Sequence, residues 1–208
     1  MVQLSTDSQS HRPLKLIVLD RDGVINHDSD QFIKSPAEWR PIPGSLEAIA
    51  RLNQAGYRVV VATNQSGVGR GLFGMTTLTE IHEKMFKSLN LVGGRIDAVF
   101  YCPHAADSHC DCRKPKPGLM RQIALRYGID LRTVPMLCDT VRDLQAAQAA
   151  GCEPHLVLSG RAANLTEAQL GDIVAEVPGA EAHRDLGSFV DFLLQRAHVP
   201  DSSPMGLH

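Results

Sequence analysis

The chain has 208 residues, 21 Lys and Arg against 23 Asp and Glu, and a formal net charge of −2. That length buries one good core and favours a single domain. The mixed charge supplies no basic stripe for a nucleic-acid backbone, and no run approaches the roughly 18 apolar residues of a membrane span, so neither nucleic acid nor membrane is an expected partner.

Met1 to about Leu14 is polar, without the apolar heart of a signal peptide, and is expected as a flexible arm on a cytoplasmic protein. The domain is expected over residues 15–198, with 199–208 a tail. KLIVLDRDGVIN, Lys15 to Asn26, begins as a short Ile/Val/Leu run with the look of a buried strand and stops at Asp20, Arg21, Asp22 and Gly23. Asn26 to Pro43 is irregular and holds the only tryptophan, Trp39. Its length and place beside Asp22 suggest a flap over a site; the alternative is a plain connection with Phe32 and Trp39 in the core. Gly44 and Ser45 introduce a helix whose apolar face is Leu46, Ile49, Ala50 and Leu52, with Gly56 at its end. Arg58 to Ala62 is a second buried strand, delivering Thr63, Asn64, Gln65 and Ser66. A glycine-rich loop, SGVGRGLFG, precedes a helix to about Leu91, for which Thr77 and Glu80 have capping-box spacing and Ile81, Met85 and Leu89 form the core face.

Asp97 to Tyr101 reads as a third strand, and Gly118 to Gly128 as a helix. Val134 to Cys138 is a fourth strand ending at Asp139. Val141 to Ala150 is an alanine-rich helix closed by Gly151, and His155 to Leu158 a fifth strand. Two outer helices, Leu165 to Val177 and Asp185 to Ala197, leave room for a short sixth strand. The alternation of strand and helix predicts an α/β fold, a parallel sheet with helices on both faces.

In such a sheet the carboxyl ends of the strands share one edge, where ligands bind. That brings Asp20 and Asp22, Thr63, the segment holding Lys114, and Asp139 with Asp143 around one small anion, for which phosphate is the natural candidate. A carboxylate nucleophile and a phosphate oxygen repel until a metal and a lysine offset the charge.

LDRDG, VATN, RKPKPG and CDTVRD, in that order over about Leu16 to Asp143, resemble the four motifs of the haloacid dehalogenase superfamily phosphatases. The resemblance implies a doubly wound Rossmann-like fold and Asp20 as nucleophile, forming an aspartyl phosphate. Asp22 would protonate the leaving oxygen and then activate water. It further implies that Asp20, Asp139 and the backbone carbonyl of Asp22 hold Mg2+, while Thr63 and Lys114 hold the phosphoryl group. Asp143 would orient Lys114 or metal-bound waters, or else only favour its helix dipole. Cys138 replaces the Gly or Ser frequent before the metal-binding Asp and is expected to pack as a small buried residue. No cap insertion of about a hundred residues follows Asp22 or Thr63, so a minimal cap, a small substrate and hydrolysis are expected.

The five cysteines are an odd number, and CPHAADSHCDC brings Cys102, His104, Cys110 and Cys112 close together. Three thiolates and an imidazole suit a structural, four-coordinate Zn2+ that stiffens the loop presenting Arg113 and Lys114, with His109 an alternative to His104. This loop before RKP, with DRDGVIN and TNQSGVGRG, resembles one subfamily, the D,D-heptose 1,7-bisphosphate phosphatases and the related histidinol phosphatase domain. The heptose enzymes are the better match for a short stand-alone chain. That resemblance implies removal of the C7 phosphate of the sugar bisphosphate in ADP-heptose and lipopolysaccharide core synthesis, with histidinol phosphate the alternative substrate. Asn64, Gln65, Ser66, Arg70 and Arg113 are the candidate substrate-binding donors. Thr140 stands where some heptose enzymes carry lysine, which implies one phosphate contact fewer. A catalytically silent binding module is the reading from another class; the presence of Asp20, Asp22, Thr63, Lys114 and Asp139 speaks against it. With no large apolar stripe, a monomer is expected.

Overall fold

The structure, a computed structural model, describes residues 14–198, so the expected arm, Leu14 apart, and the expected tail lie outside the described residues. Six strands form one parallel sheet: β1 (Leu16–Leu19), β2 (Arg58–Asn64), β3 (Ala98–Cys102), β4 (Pro135–Cys138), β5 (Glu153–Val157) and β6 (Glu181–His183), in the spatial order β3-β2-β1-β4-β5-β6. The chain starts at the centre, winds outward to one edge, then crosses β1 and winds to the other. The reversal lies between β1 and β4, the crevice where a doubly wound sheet places its ligand.

Successive side chains of a strand point to opposite faces. Ile17, Leu19, Val59, Val61 and Leu137 accordingly enter one core, and Leu16, Val18, Val60, Ala62 and Met136 the other. The first face is covered by α1 (Ser45–Gln54), α3 (Met75–Leu91) and α7 (Leu186–His198), which contribute Ile49, Ile81, Met85, Phe189 and Val190. The second is covered by α4 (Gly118–Tyr127) and α5 (Val141–Ala150) through Leu119, Met120, Ile123, Ala146 and Ala147. The central strands are therefore apolar throughout rather than alternating, as strands buried on both faces must be. No helix among the described residues is long and apolar enough to cross a membrane.

Two local expectations need correction. The capping box at Thr77 and Glu80 does not form: α3 begins at Met75 with Gly74 as an extended N-cap, so Thr77 already sits inside the first turn. A capping box is found instead where α6 (Glu167–Glu176) starts, between Thr166 and Gln169. The glycine-rich loop contains a single helical turn, α2 (Ser66–Gly69). Its glycines serve close packing: a Cβ on Gly69 would come within 2.5 Å of the Ala105 nitrogen, in the cysteine loop.

The segment 26–43 divides between the two roles weighed for it. Trp39 is fully buried with Ile33 in the first core, and Lys84 Nζ donates to the Trp39 carbonyl at 2.8 Å, fixing that half. In the other half, Asp28, Ser29, Asp30 and Phe32 line the cleft beside Asp20. Phe32 has φ 62, a left-handed conformation that costs an aromatic residue energy.

Candidate active site

β1 ends in Leu19, and the next residue, Asp20, is held by donating its backbone N–H to the Leu137 carbonyl of β4 at 2.8 Å. Its Oδ2 lies 2.8 Å from Lys114 Nζ. Lys114 is 1% exposed; its ammonium also approaches Asp143 Oδ1 at 3.1 Å and donates to the Ala62 carbonyl at 2.9 Å. A buried lysine would ordinarily lose its proton, but the Asp143 and Asp20 charges outweigh burial and raise its pKa. The Lys114 backbone is clamped by Asn64, which accepts from the Lys114 N–H at 3.1 Å and donates to its carbonyl at 3.2 Å.

Carboxylate oxygens of Asp20, Asp139 and Asp143 lie within 4.8 Å of one another, all three residues buried. Burial drives the Asp20 carboxyl up to about 8, with Lys114 pulling it back and Asp143 and Asp139 adding to the rise. Asp139 is raised to about 6, again by burial first, against the Arg161 backbone N–H that donates to its Oδ2 at 2.8 Å. One buried ammonium for three buried carboxylates leaves a charge deficit, and an all-oxygen donor set of this kind suits a hard divalent cation such as magnesium. The surroundings hold Asp139 tightly, since a Cβ on Gly23 or Gly160 would come within 2.0 and 2.1 Å of its Oδ2.

Asp22 is turned away from that group. Both its oxygens accept from Arg21 Nη2, at 2.8 and 2.9 Å; Asn26 Nδ2 and Gln65 Nε2 add bonds of 2.8 and 2.9 Å. Burial alone would raise its pKa, but the Arg21 charge and these donors hold it below the usual carboxylate range. Gln65 also donates to Thr63 Oγ1 at 2.9 Å, which leaves the threonine hydroxyl proton free to point elsewhere.

The cleft over these groups has a volume of about 570 Å³. Beside it, Cys102, His104, Cys110 and Cys112 bring their ligand atoms within 4.8 Å of one another. Cys102 Sγ and Cys110 Sγ are 3.7 Å apart, and His104 Nδ1 is 3.5 Å from Cys102 Sγ and 3.2 Å from Cys112 Sγ. Metal–sulfur bonds of about 2.3 Å in a tetrahedron set an edge of about 3.8 Å, and the Cys102–Cys110 sulfur separation is close to that edge. His104 rather than His109 is the histidine of this cluster.

Model matches divide along the chain: residues 15–135 match the polynucleotide kinase 3 phosphatase family and residues 111–179 the HAD-hydrolase-like family. D-glycero-β-D-manno-heptose-1,7-bisphosphate 7-phosphatase of Bordetella bronchiseptica is 54% identical over 185 residues, covering 88% of this chain and 100% of the relative. The chain belongs to this family of HAD-like heptose-bisphosphate 7-phosphatases. Its Pseudomonas aeruginosa member is 51% identical over 146 residues, 70% of this chain and 82% of the relative. The crystal structure of the B. bronchiseptica enzyme complexed with magnesium and phosphate has a TM-score of 0.81 at 52% identity, covering 88% of this chain and 99% of that one. The enzyme from Burkholderia thailandensis has a TM-score of 0.64 at 48% identity, covering 86% and 98%.

For this heptose-bisphosphate phosphatase relative, the fold brings Asp20, Thr63, Lys114, Asp139 and Asp143 together as the sequence suggested. The five candidate substrate donors separate. Asn64 and Gln65 line the cleft, but their amides are committed to Lys114, Asp22 and Thr63. Ser66, buried where α2 begins, lines the cleft as well. Arg70 and Arg113 line the cleft, Arg70 stacked 5.6 Å over the Phe32 ring and Arg113 donating to the His104 carbonyl at 3.4 Å. Thr140 caps α5 by accepting from the Asp143 N–H, and Cys138 is buried as expected.

Two arginines escaped the sequence reading. Arg21 is fully buried and binds Asp22; its place between two acidic residues was the available signal. Arg161 pairs with Asp28 at 2.6 Å and Asp30 at 2.9 Å across the cleft mouth. Nothing near it in sequence announced that.

Proposed function

We propose that the chain hydrolyses the C7 phosphate of D-glycero-β-D-manno-heptose 1,7-bisphosphate, the substrate for which its relatives are named. The observation that carries the mechanism is the meeting of Asp20, Lys114 and Asp143 beneath one cleft. Asp20 attacks phosphorus; the bond from phosphorus to the C7 oxygen breaks, and Asp22 gives that oxygen a proton. In the second half, water attacks the aspartyl phosphate, losing a proton to Asp22, and the Asp20 carboxylate departs. Asp22 held by Arg21, Asn26 and Gln65 is ionised, the form that accepts a proton from water. Protonating the leaving oxygen requires the carboxyl to leave those donors and take up a proton first.

Lys114 offsets the negative charge that gathers between Asp20 and the phosphoryl oxygens, and the Thr63 hydroxyl donates to one of them. Asp143 positions Lys114. Asp20, Asp139 and the Asp22 carbonyl would hold magnesium, which when bound supplies positive charge between nucleophile and phosphate. The cysteine and histidine cluster would hold structural zinc, keeping Arg113 and Lys114 at the cleft. Of the five candidate donors, Arg70 and Arg113 bring positive charge to meet the rest of a doubly anionic sugar. A cytoplasmic monomer serving lipopolysaccharide core synthesis fits that substrate.

The deciding experiment compares magnesium-dependent phosphate release from both anomers of heptose 1,7-bisphosphate with that from histidinol phosphate. The β anomer is expected to have the highest kcat/KM. Preference for histidinol phosphate would overturn the substrate while leaving the Asp20 mechanism in place.

A further inference from the structure

The sheet edge formed by β6 carries metal-ligating side chains that the hydrolytic site does not use. His155 of β5 pairs in register with Glu181 of β6, and His183 follows Glu181 by two residues. Directly paired residues, and residues two apart on a strand, share a face. Both imidazoles and the carboxylate therefore stand on the same side of the sheet, and one ligand atom from each lies within 4.8 Å of the others. His155 Nδ1 and His183 Nε2 are 3.1 Å apart, close to the separation of neighbouring corners around a metal with bonds of about 2.0–2.1 Å to nitrogen.

A second observation concerns the far side of the His155 ring. The residue is 3% exposed, and its Nε2 has no hydrogen-bond partner. Glu153 Oε2 stands 3.9 Å from it. With the ring proton on Nε2, which faces that carboxylate without a hydrogen bond, Nδ1 keeps its lone pair for a ligand. Phe189 and Phe192 pack against both imidazoles and limit their freedom to turn. A cleft of about 380 Å³ lined by His155, Glu153 and Glu181 gives access from solvent.

We propose that His155, Glu181 and His183 bind one divalent transition-metal ion of the zinc class, with water completing its coordination. Two imidazoles and a carboxylate select such an ion over magnesium or calcium, which prefer oxygen alone, and the absence of thiolates separates this site from the Cys102 cluster. The effect is structural. β6 has three residues and, among the described residues, joins the sheet only through β5, so an ion shared by the two strands secures the edge.

The test uses the full chain, washed over a weak chelating resin and titrated with zinc. Metal analysis is expected to show one zinc equivalent fewer for His183→Gln than for the wild type, whereas Cys112→Ser retains that equivalent. Long-range nitrogen-15 spectra of the wild type should show the ring nitrogens of His155 and His183 shifting together as it binds. Equal zinc content in the wild type and His183→Gln, or ring signals indifferent to zinc, would overturn the site and leave a plain hydrogen bond between imidazoles. Should His183→Gln not fold, Glu181→Gln changes only an exposed side chain; it is expected to weaken zinc at least about tenfold with phosphatase turnover unchanged. Undiminished zinc affinity in that variant would overturn the three-ligand site.

Discussion

The carboxylate and lysine group under the cleft and the cysteine and histidine group beside it are built in opposite ways. The first gathers Asp20, Asp139 and Asp143 with Lys114 from three separate stretches of chain, and every member is buried. The second comes from one stretch of eleven residues, Cys102 to Cys112, with only Cys102 buried. One is a set of like charges held close by a packed sheet around one buried cation. The other is a set of soft ligands that a short loop brings together, with much less support from packing. Charge balance therefore governs the first, and ligand valence governs the second.

The sharpest test of that contrast is Asp20→Asn, expected to lower turnover at least about 10⁴-fold. The fold should survive, because Lys114 keeps Asp143 as a partner; phosphate-release rates beside circular dichroism check both halves. Lys114→Met should cost about 10²- to 10³-fold in turnover. It should also destabilise the protein by about 3–5 kcal/mol in chelator, since it leaves two buried carboxylates without their ammonium. Urea unfolding with and without magnesium reads the second effect, and a variant as stable as the wild type in chelator would show that charge balance does not hold this region together.

At the cysteine loop the expectation is smaller. Cys112→Ser should lose the zinc proposed for this loop, lower Tm, and reduce turnover about tenfold to a hundredfold through misplacement of Arg113 and Lys114. Normal kcat/KM in a variant whose cysteine loop holds no zinc would mean that the two groups are independent.

The smallest effect lies at the rim of the first group. His82 is buried beside Arg21, and burial with that positive charge lowers its pKa from 6.5 to about 4. Between those values the unfolded chain binds a proton that the folded chain does not. Stability should therefore fall as pH drops from 6.5 towards 4, by at most about 1.4 kcal/mol per pH unit from this residue. His82→Gln should flatten the pH dependence of the urea midpoint in that window.

The fold was legible because the strands are short apolar runs separated by amphipathic helices closed by glycine, and periodicity survives tertiary packing in such elements. Gly128 and Gly151 both end helices in the left-handed conformation the sequence suggested. The capping spacing at Thr77 misled because the chain leaving Phe73 reaches helical geometry two residues earlier, at Met75, where Gly74 suffices as cap. Asn64 and Gln65 line the cleft as expected of substrate donors, and their amides also brace Lys114, Asp22 and Thr63. An amide's hydrogen-bonding capacity is visible in sequence, and the partner that consumes it is not.

By itself, the sequence determined the alternation of elements, the acids that end β1 and β4, the Thr63 and Lys114 motifs, and the crowding of three cysteines and a histidine from Cys102 to Cys112. These are local properties of residue type and spacing. Only the tertiary structure decided that Arg21 is a buried partner for Asp22 and that segment 26–43 gives Trp39 to the core and Phe32 to the cleft. It also decided that Arg161 reaches Asp28 and Asp30, and that His155 and His183 meet across β5 and β6. Each of those depends on which distant backbone lies alongside, and that is settled by how the two cores close over the sheet.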